Sequence, residues 1–197
     1  ELDRAHEAQE QLAFADVVVL NKTDLVTEED LAVVEARIRR ITPTAIIHRS
    51  ERCNVPLTEI LGRGAFDLDR ILEMAPDFLD HVHHHHHEDH VSSFSLVSDT
   101  PLEPGRFFAW IQEVSQHFGL DLLRVKGIIA FPGDEDRYVM QGVHMMLEGD
   151  HQRPWRVDEA RVTRLVFIGR DLPRDIIAAG FKRCRADSFE ADRCLAS

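Results

Sequence analysis

The sequence has few cysteines and no long apolar run. Its 197 residues include three cysteines, Cys53, Cys184 and Cys194, and no Cys-x-x-Cys pair. This excludes a disulfide-dense scaffold and a cysteine-based zinc site, and it favours a reducing compartment, so we expect a cytoplasmic protein. No stretch reaches the roughly 18–20 apolar residues of a membrane span, so we expect no membrane partner.

A phosphate-binding loop is also missing from the sequence. None of the ten glycines is followed by lysine, so GxxxxGK[ST], whose backbone N–H groups would surround the phosphates, does not occur. No nucleophile–histidine arrangement can be argued either, and we assign no catalytic residue. The chain alone is therefore not expected to hydrolyse GTP. Since it opens at Glu1 without an initiator methionine, we expect it to belong to a longer protein.

Positive charge is the third scarce feature. The 35 acidic side chains outnumber the 23 basic ones, which gives a net charge of -12. An acidic surface repels phosphate backbones, so nucleic acid is excluded as a general partner.

The first block, residues 1–75, alternates apolar runs with a helical pattern. Residues 16–20 form a β-branched run that predicts a strand buried on both faces. Thr27 is placed to cap a helix that extends to residue 41. Residues 45–48 predict a second buried strand, and this order is typical of a parallel α/β sheet. Because two strands are too few for a stable sheet, we expect the missing strands to come from a preceding part of the protein or from a partner chain.

The composition changes after a polar linker at residues 76–90. From 91 to 185 the pattern predicts a small α+β domain in the order β-α-β-β-β-α, with an antiparallel sheet covered by two helices. The predicted elements are strand 94–97, helix 104–118, strands 122–131 and 138–147, strand 161–168 and helix 173–184. Residues 186–197 are expected to form a tail. The predicted fold class is therefore an α/β segment followed by an α+β domain.

Asn21-Lys22-Thr23-Asp24 directly follows the first predicted strand. Open α/β sheets bind ligands beyond the carboxyl ends of their strands. A carboxylate there, Asp24, can accept hydrogen bonds from N1–H and the N2 amino group of guanine, a donor pair that adenine lacks. Lys22 can lay its stem along the base, and Asn21 can brace the loop. The alternative is a polar strand-to-helix turn, in which Asn and Asp are common. We favour guanine recognition.

Seven of the 12 histidines lie between residues 81 and 90. Imidazole suits zinc, copper and nickel, and a run of imidazoles can supply ligands in several registers. The interpretation as a metal-handling segment competes with that of a solvated linker. The candidate metal ligands are His81, His83, His84, His85, His86, His87 and His90.

Several blocks, taken in order, resemble the CobW-type metallochaperone GTPases, relatives of the nickel-insertion GTPases of hydrogenase and urease maturation. The resemblance covers nearly the whole chain. The blocks are 11–16, 19–25, the His-rich linker, 93–95, 106–107, 121–127, 141–144, 153–155 and 165–170.

The resemblance implies the C-terminal part of a P-loop GTPase domain at 1–75 and a CobW C-terminal domain at 91–185, joined by the linker. It implies that Asn21, Lys22 and Asp24 read guanine, that the parent protein uses GTP with Mg²⁺, and that the metal is Zn²⁺ or another divalent transition metal. Its partners would be a metal-requiring client protein and the missing N-terminal GTPase portion.

Two other functions remain open at this stage. One is a metal-buffering or interaction module that has no nucleotide dependence. The other is a fragment of a non-GTPase α/β enzyme, which an upstream P-loop would exclude.

Overall fold

The structure, a computed structural model, describes residues 6–60 and 91–186. The chain divides into two compact units, Glu1–Ser93 and Phe94–Ser197, and each is described by itself. None of the described helices has the length and hydropathy needed to cross a membrane.

The first unit is built around a pair of parallel strands. Its elements are α1 (His6–Ala13), β1 (Val17–Asn21), a short 3-10 helix (Thr23–Leu25), α2 (Glu28–Ile41), β2 (Ile46–Ser50) and α3 (Leu57–Ile60). The strands β1 and β2 pair in parallel, from Val17 opposite Ile46 to Asn21 opposite Ser50. The predicted βαβ unit is confirmed. Neither strand is enclosed on both faces as predicted in the described chain, since most residues of β1 and β2 are half-buried; enclosure of a parallel sheet requires helices packed on both faces.

The helix α2 begins where the sequence predicts. The Thr27 hydroxyl accepts a hydrogen bond from the Asp30 N–H at 3.2 Å, and three acidic residues follow the cap. At the other end, Arg39 donates from Nη1 to the Ala45 carbonyl oxygen at 2.6 Å. This bond ties the end of the helix to the residue before β2 and so helps to set where β2 begins.

The second unit is an α+β domain, which confirms the predicted fold class. Its elements are β3 (Val91–Ser98), α4 (Pro104–Phe118), β4 (Leu122–Ile129), β5 (Asp136–Val143), β6 (Met146–Pro154), β7 (Thr163–Arg170) and α5 (Arg174–Arg183). The sheet order is β3-β7-β4-β5-β6, and β4 pairs antiparallel with both β5 and β7. Aromatic side chains such as Phe107 and Phe167 pack in the core.

The predicted order β-α-β-β-β-α lacked one strand. The single strand predicted at 138–147 is broken by a turn at His144 and Met145, after which β6 returns antiparallel to β5. His144 adopts a left-handed backbone with φ 52° and donates its N–H to the Leu123 carbonyl oxygen. A turn without Gly, Pro or Asn gave no signal in the sequence. The new strand is at the sheet edge and largely exposed, so it also lacks the apolar pattern of a buried strand.

Candidate functional site

Asn21, the last residue of β1, connects two loops. Its Nδ2 donates to the Cys53 sulfur at 3.0 Å, and its Oδ1 accepts from the Cys53 N–H at 2.9 Å. The two residues are 32 positions apart in sequence. Because β1 and β2 are parallel, both of their carboxyl ends lie at the same edge of the sheet. The amide of Asn21 therefore fixes the loop that follows β2 against the loop that follows β1.

Thr23 adds a second link between the same loops. Its hydroxyl donates to the carbonyl oxygen of Ser50, the last residue of β2, at 3.2 Å. Within the first loop, the Leu25 N–H donates to the Lys22 carbonyl oxygen and closes the 3-10 turn. Together with the Asn21 contacts, these bonds give the edge a defined shape.

Three residues at this edge have left-handed backbones. They are Lys22 with φ 64°, Arg52 with φ 52° and Cys53 with φ 57°. For residues other than glycine this conformation costs about 1–2 kcal/mol each. Strain of this kind persists where the surroundings hold the backbone in place, and it is concentrated at functional sites. Here the bonds of Asn21 hold Cys53 directly.

Asp24 is exposed in the 3-10 helix, immediately beyond the end of β1. Within the described ranges its carboxylate makes no hydrogen bond or ion pair. Lys22 is also exposed. A carboxylate that is both exposed and unpaired can bind a ligand without first breaking an internal contact. This position beyond a strand end is where α/β sheets bind their ligands.

The sequence analysis missed the part played by Ser50 and Cys53. The residues of the loop after β2 carry no recognisable motif, so the local sequence gave no signal. The predicted parallel pairing could have indicated them, since it brings the ends of β1 and β2 to one edge. Cys53 is exposed and Cys184 is buried. Burial raises the pKa of the Cys184 thiol to about 11, which keeps it protonated and unreactive at neutral pH.

The candidate metal ligands at 81–90 lie outside the described residues. Elsewhere, in residues 6–60 and 91–186, no group of three or more His, Cys, Asp or Glu side chains is arranged to hold a metal ion. The histidine segment stays a predicted metal site.

Family models match both units of the chain. Residues 91–185 match the cobalamin synthesis protein cobW C-terminal domain. Residues 1–49 match the CobW/HypB/UreG nucleotide-binding domain, and this range contains Asn21, Lys22 and Asp24.

Curated relatives align with most of the chain. The zinc chaperone CobW of Pseudomonas aeruginosa is 37% identical over 86% of this chain and 45% of its own length. The zinc chaperone YjiA of Escherichia coli is 28% identical over 90% of this chain and 54% of its own length. The zinc-regulated GTPase metalloprotein activator 1 of Dictyostelium discoideum is 36% identical over 60% of this chain and 25% of its own length. The chain thus spans about half the length, or less, of these relatives.

A solved structure supports the same relationship. The crystal structure of a Zn(II)-bound triple mutant of the YjiA GTPase matches with a TM-score of 0.69 and 25% identity, over 93% of this chain and 56% of that one. The Zn(II)-bound YjiA GTPase from E. coli matches with a TM-score of 0.72 at 23% identity and shows the shared fold. The chain belongs to the CobW family, and it matches a CobW/HypB/UreG nucleotide-binding domain at 1–49 and a CobW C-terminal domain at 91–185.

Proposed function

We propose that this chain is the C-terminal part of a GTP-dependent zinc chaperone. In this proposal Asn21, Lys22 and Asp24 recognise guanine and the histidine segment handles the metal. The CobW C-terminal domain then contacts a client protein or responds to the bound nucleotide. The observation that carries the proposal is the exposed Asp24 carboxylate, which has no partner among the residues that the structure describes and lies beside two loops held together by Asn21.

The donor and acceptor chemistry of this edge fits guanine. Asp24 offers two acceptor oxygens, which match the N1–H and N2 amino donors along one side of the base. Lys22, exposed next to it, can cover the face of the base with its aliphatic stem. Asn21 positions the two loops through its bonds to Cys53, and its Nδ2 keeps a second N–H that it can donate to the base.

Zinc is supported as the metal by two observations. Several relatives are named zinc chaperones, and imidazole is a common zinc ligand. Metal binding by histidines requires neutral rings, so affinity falls as the pH drops through the ordinary histidine pKa of ~6.5. Phosphate binding, Mg²⁺ and hydrolysis would depend on the parent protein, because the chain has no P-loop.

The guanine assignment is tested by replacing Asp24 in the parent protein. Asp24→Ala removes both acceptors, and we expect GTP affinity to fall at least ~100-fold, since a site built for hydrogen bonding rejects an unmatched partner strongly. Asp24→Asn presents one donor and one acceptor, which match O2 and N1–H of xanthine, so we expect preference for xanthosine triphosphate over GTP. Both affinities are measured by isothermal titration.

Glu29→Ala is the matched control, since Glu29 is an exposed acid in the first turn of α2 and its loss changes the charge equally. We expect it to leave GTP affinity unchanged. GTP binding that survives Asp24→Ala would exclude the guanine role.

The alternative function is a metal buffer without nucleotide dependence. Titration of Zn²⁺ into the parent protein with and without a non-hydrolysable GTP analogue separates the two. A GTP-dependent chaperone requires zinc affinities that differ between the two states, because metal transfer can be driven only by such a difference. Equal zinc affinities in both states would favour the buffer.

A further inference from the structure

Among the strands that the structure describes, β6 lies at the edge of the sheet and has one neighbour, β5. Its pairing begins at Val143 opposite Met146 across a two-residue turn and runs to His151 opposite Tyr138. In an antiparallel ladder the paired backbone groups alternate between the neighbour and the open side. The pair next to the turn, Val143 and Met146, is a hydrogen-bonded pair. The backbone N–H and C=O groups of Leu147, Gly149 and His151 therefore point away from β5, toward the open side of β6. The edge therefore presents a row of donors and acceptors to another strand.

A groove of about 400 Å³ lies directly beside this edge, between α4 and the β5–β6 hairpin. Residues 147, 149 and 151 alternate along the strand and share the face that carries the groove. Tyr138 and Met140 form the floor, and Gln112 and Phe108 come from the helix. Residue 149 is glycine, and the Tyr138 ring packs directly against it. A Cβ at Gly149 would collide with that ring. The lining combines apolar side chains, such as Met140 and Leu147, with polar ones, such as Gln112 and Ser115.

Two acidic residues lie near the middle of the same strand, ahead of Arg153 at its end. Glu148 and Asp150 are exposed, and the Asp150 carboxylate accepts the N–H of His151 at 2.8 Å. The outward-pointing N–H of His151 is therefore already paired. The backbone groups of Leu147 and Gly149 stay available to an added strand. A second copy of this strand is disfavoured as the occupant, because antiparallel pairing centred on Asp150 would place two like charges opposite each other.

We propose that the β6 edge and the groove beside α4 bind an extended peptide segment of a partner protein that alternates apolar and basic residues. The segment adds as a sixth strand. Its apolar side chains enter the groove next to Leu147, and its basic side chains lie beside Glu148 and Asp150. This is β-strand addition, in which main-chain bonds supply affinity and alternate side chains supply specificity. The inference goes beyond the proposed function, because the site requires neither nucleotide nor metal.

The test uses the full chain without nucleotide or zinc, and fluorescein-labelled peptides. One peptide alternates lysine with leucine or valine over seven residues, the second has glutamate in place of lysine, and the third carries a central proline that cannot donate to the edge. We expect the lysine peptide to bind and both others to bind more weakly, as measured by fluorescence anisotropy. In hydrogen exchange, the amides of Leu147 and Gly149 should gain protection when the lysine peptide binds.

Charge reversal on the strand provides the matched comparison. Glu148→Lys should lower the affinity for the lysine peptide by about two- to fivefold, the range for one cross-strand charge pair. The same variant should raise the affinity for the glutamate peptide. Glu113→Lys makes the same change of charge on α4 at a position that does not line the groove, and it should leave both affinities unchanged. Equal effects of the two variants, no binding of the lysine peptide, or protection of Leu147 and Gly149 by dimerisation alone would each overturn the proposal.

Discussion

At the scale of single residues, one charged contact ties the turn between β4 and β5 to β6. Asp134 Oδ2 lies 2.7 Å from His151 Nε2. The Tyr138 ring packs edge-on against the His151 imidazole, with the ring centroids 5.2 Å apart. The hydrogen bond with His151 lowers the pKa of Asp134 below its ordinary value, with smaller contributions from the Asp136 N–H and from Arg161. The ionised carboxylate is therefore the form that the fold stabilises.

This contact predicts a change in the acid titration of Asp134. Because its pKa is lowered in the folded state, the stabilisation is present above the ordinary aspartate pKa and is lost as the pH falls through the lowered value. We expect His151→Ala to move the pKa of Asp134 upward, followed by the ¹³C shift of its carboxyl carbon. Gln152→Ala replaces an exposed neighbour and is the control. It should leave the pKa of Asp134 unchanged. If the pKa of Asp134 is unchanged in His151→Ala, the contact does not form in solution.

At the scale of elements, α4 and α5 approach closely at Gly180. A Cβ at this position would collide with the indole ring of Trp110. That ring also contacts Phe181 and Phe167, with centroids 5.6 Å and 6.1 Å apart. Glycine in a helix interior costs about 1 kcal/mol relative to alanine. The fold accepts this cost because the missing side chain lets a large aromatic pack between the helices.

We expect Gly180→Ala to destabilise the protein in spite of the better helix propensity of alanine. Overpacking a core typically costs about 1–3 kcal/mol, and Trp110 is 7% exposed and enclosed by aromatic neighbours. The free energy of unfolding is measured by urea denaturation. Gly105→Ala is the matched control, because a Cβ there meets nothing closer than the Glu103 side chain at 3.4 Å. Stabilisation by Gly180→Ala would contradict this account of the contact between the helices.

At the scale of the whole molecule, the two units have unequal cores. In the described part of the first unit the buried apolar side chains before residue 61 are few: Ala13, Leu31, Ile38, Ile41 and Ala45. The second unit has a contiguous cluster of eighteen buried residues under a five-stranded sheet. Two parallel strands seldom form a stable sheet by themselves.

This difference predicts how fragments of the chain behave. A fragment of residues 91–186 should fold alone and unfold in one cooperative urea transition, because its sheet and both helices share one core. A fragment of residues 1–60 should show little amide dispersion in NMR spectra, since its described sheet consists of β1 and β2 alone. A cooperative transition in the short fragment, or none in the long one, would show that the cores are divided differently.

How far the sequence predicted the fold depended on the strength of local signals. The helix 28–41 was predicted closely, because a Thr27 cap, an acidic first turn and apolar spacing all agree. The helix 104–118 was predicted closely from its apolar spacing and from the proline in its first turn. The second strand of the hairpin at His144 was missed, because its left-handed turn residue is not glycine and its polar edge strand has no apolar alternation.

The sequence by itself determined the family, the α/β and α+β classes and the motif that holds Asp24, because periodicity, capping and short motifs are properties of neighbouring residues. Only the tertiary structure decided that Asn21 binds the loop of Cys53. It also decided that Gly180 makes room for Trp110 and that β6 forms an open edge beside a groove. These features join residues distant in sequence, and chain packing alone determines which of them meet.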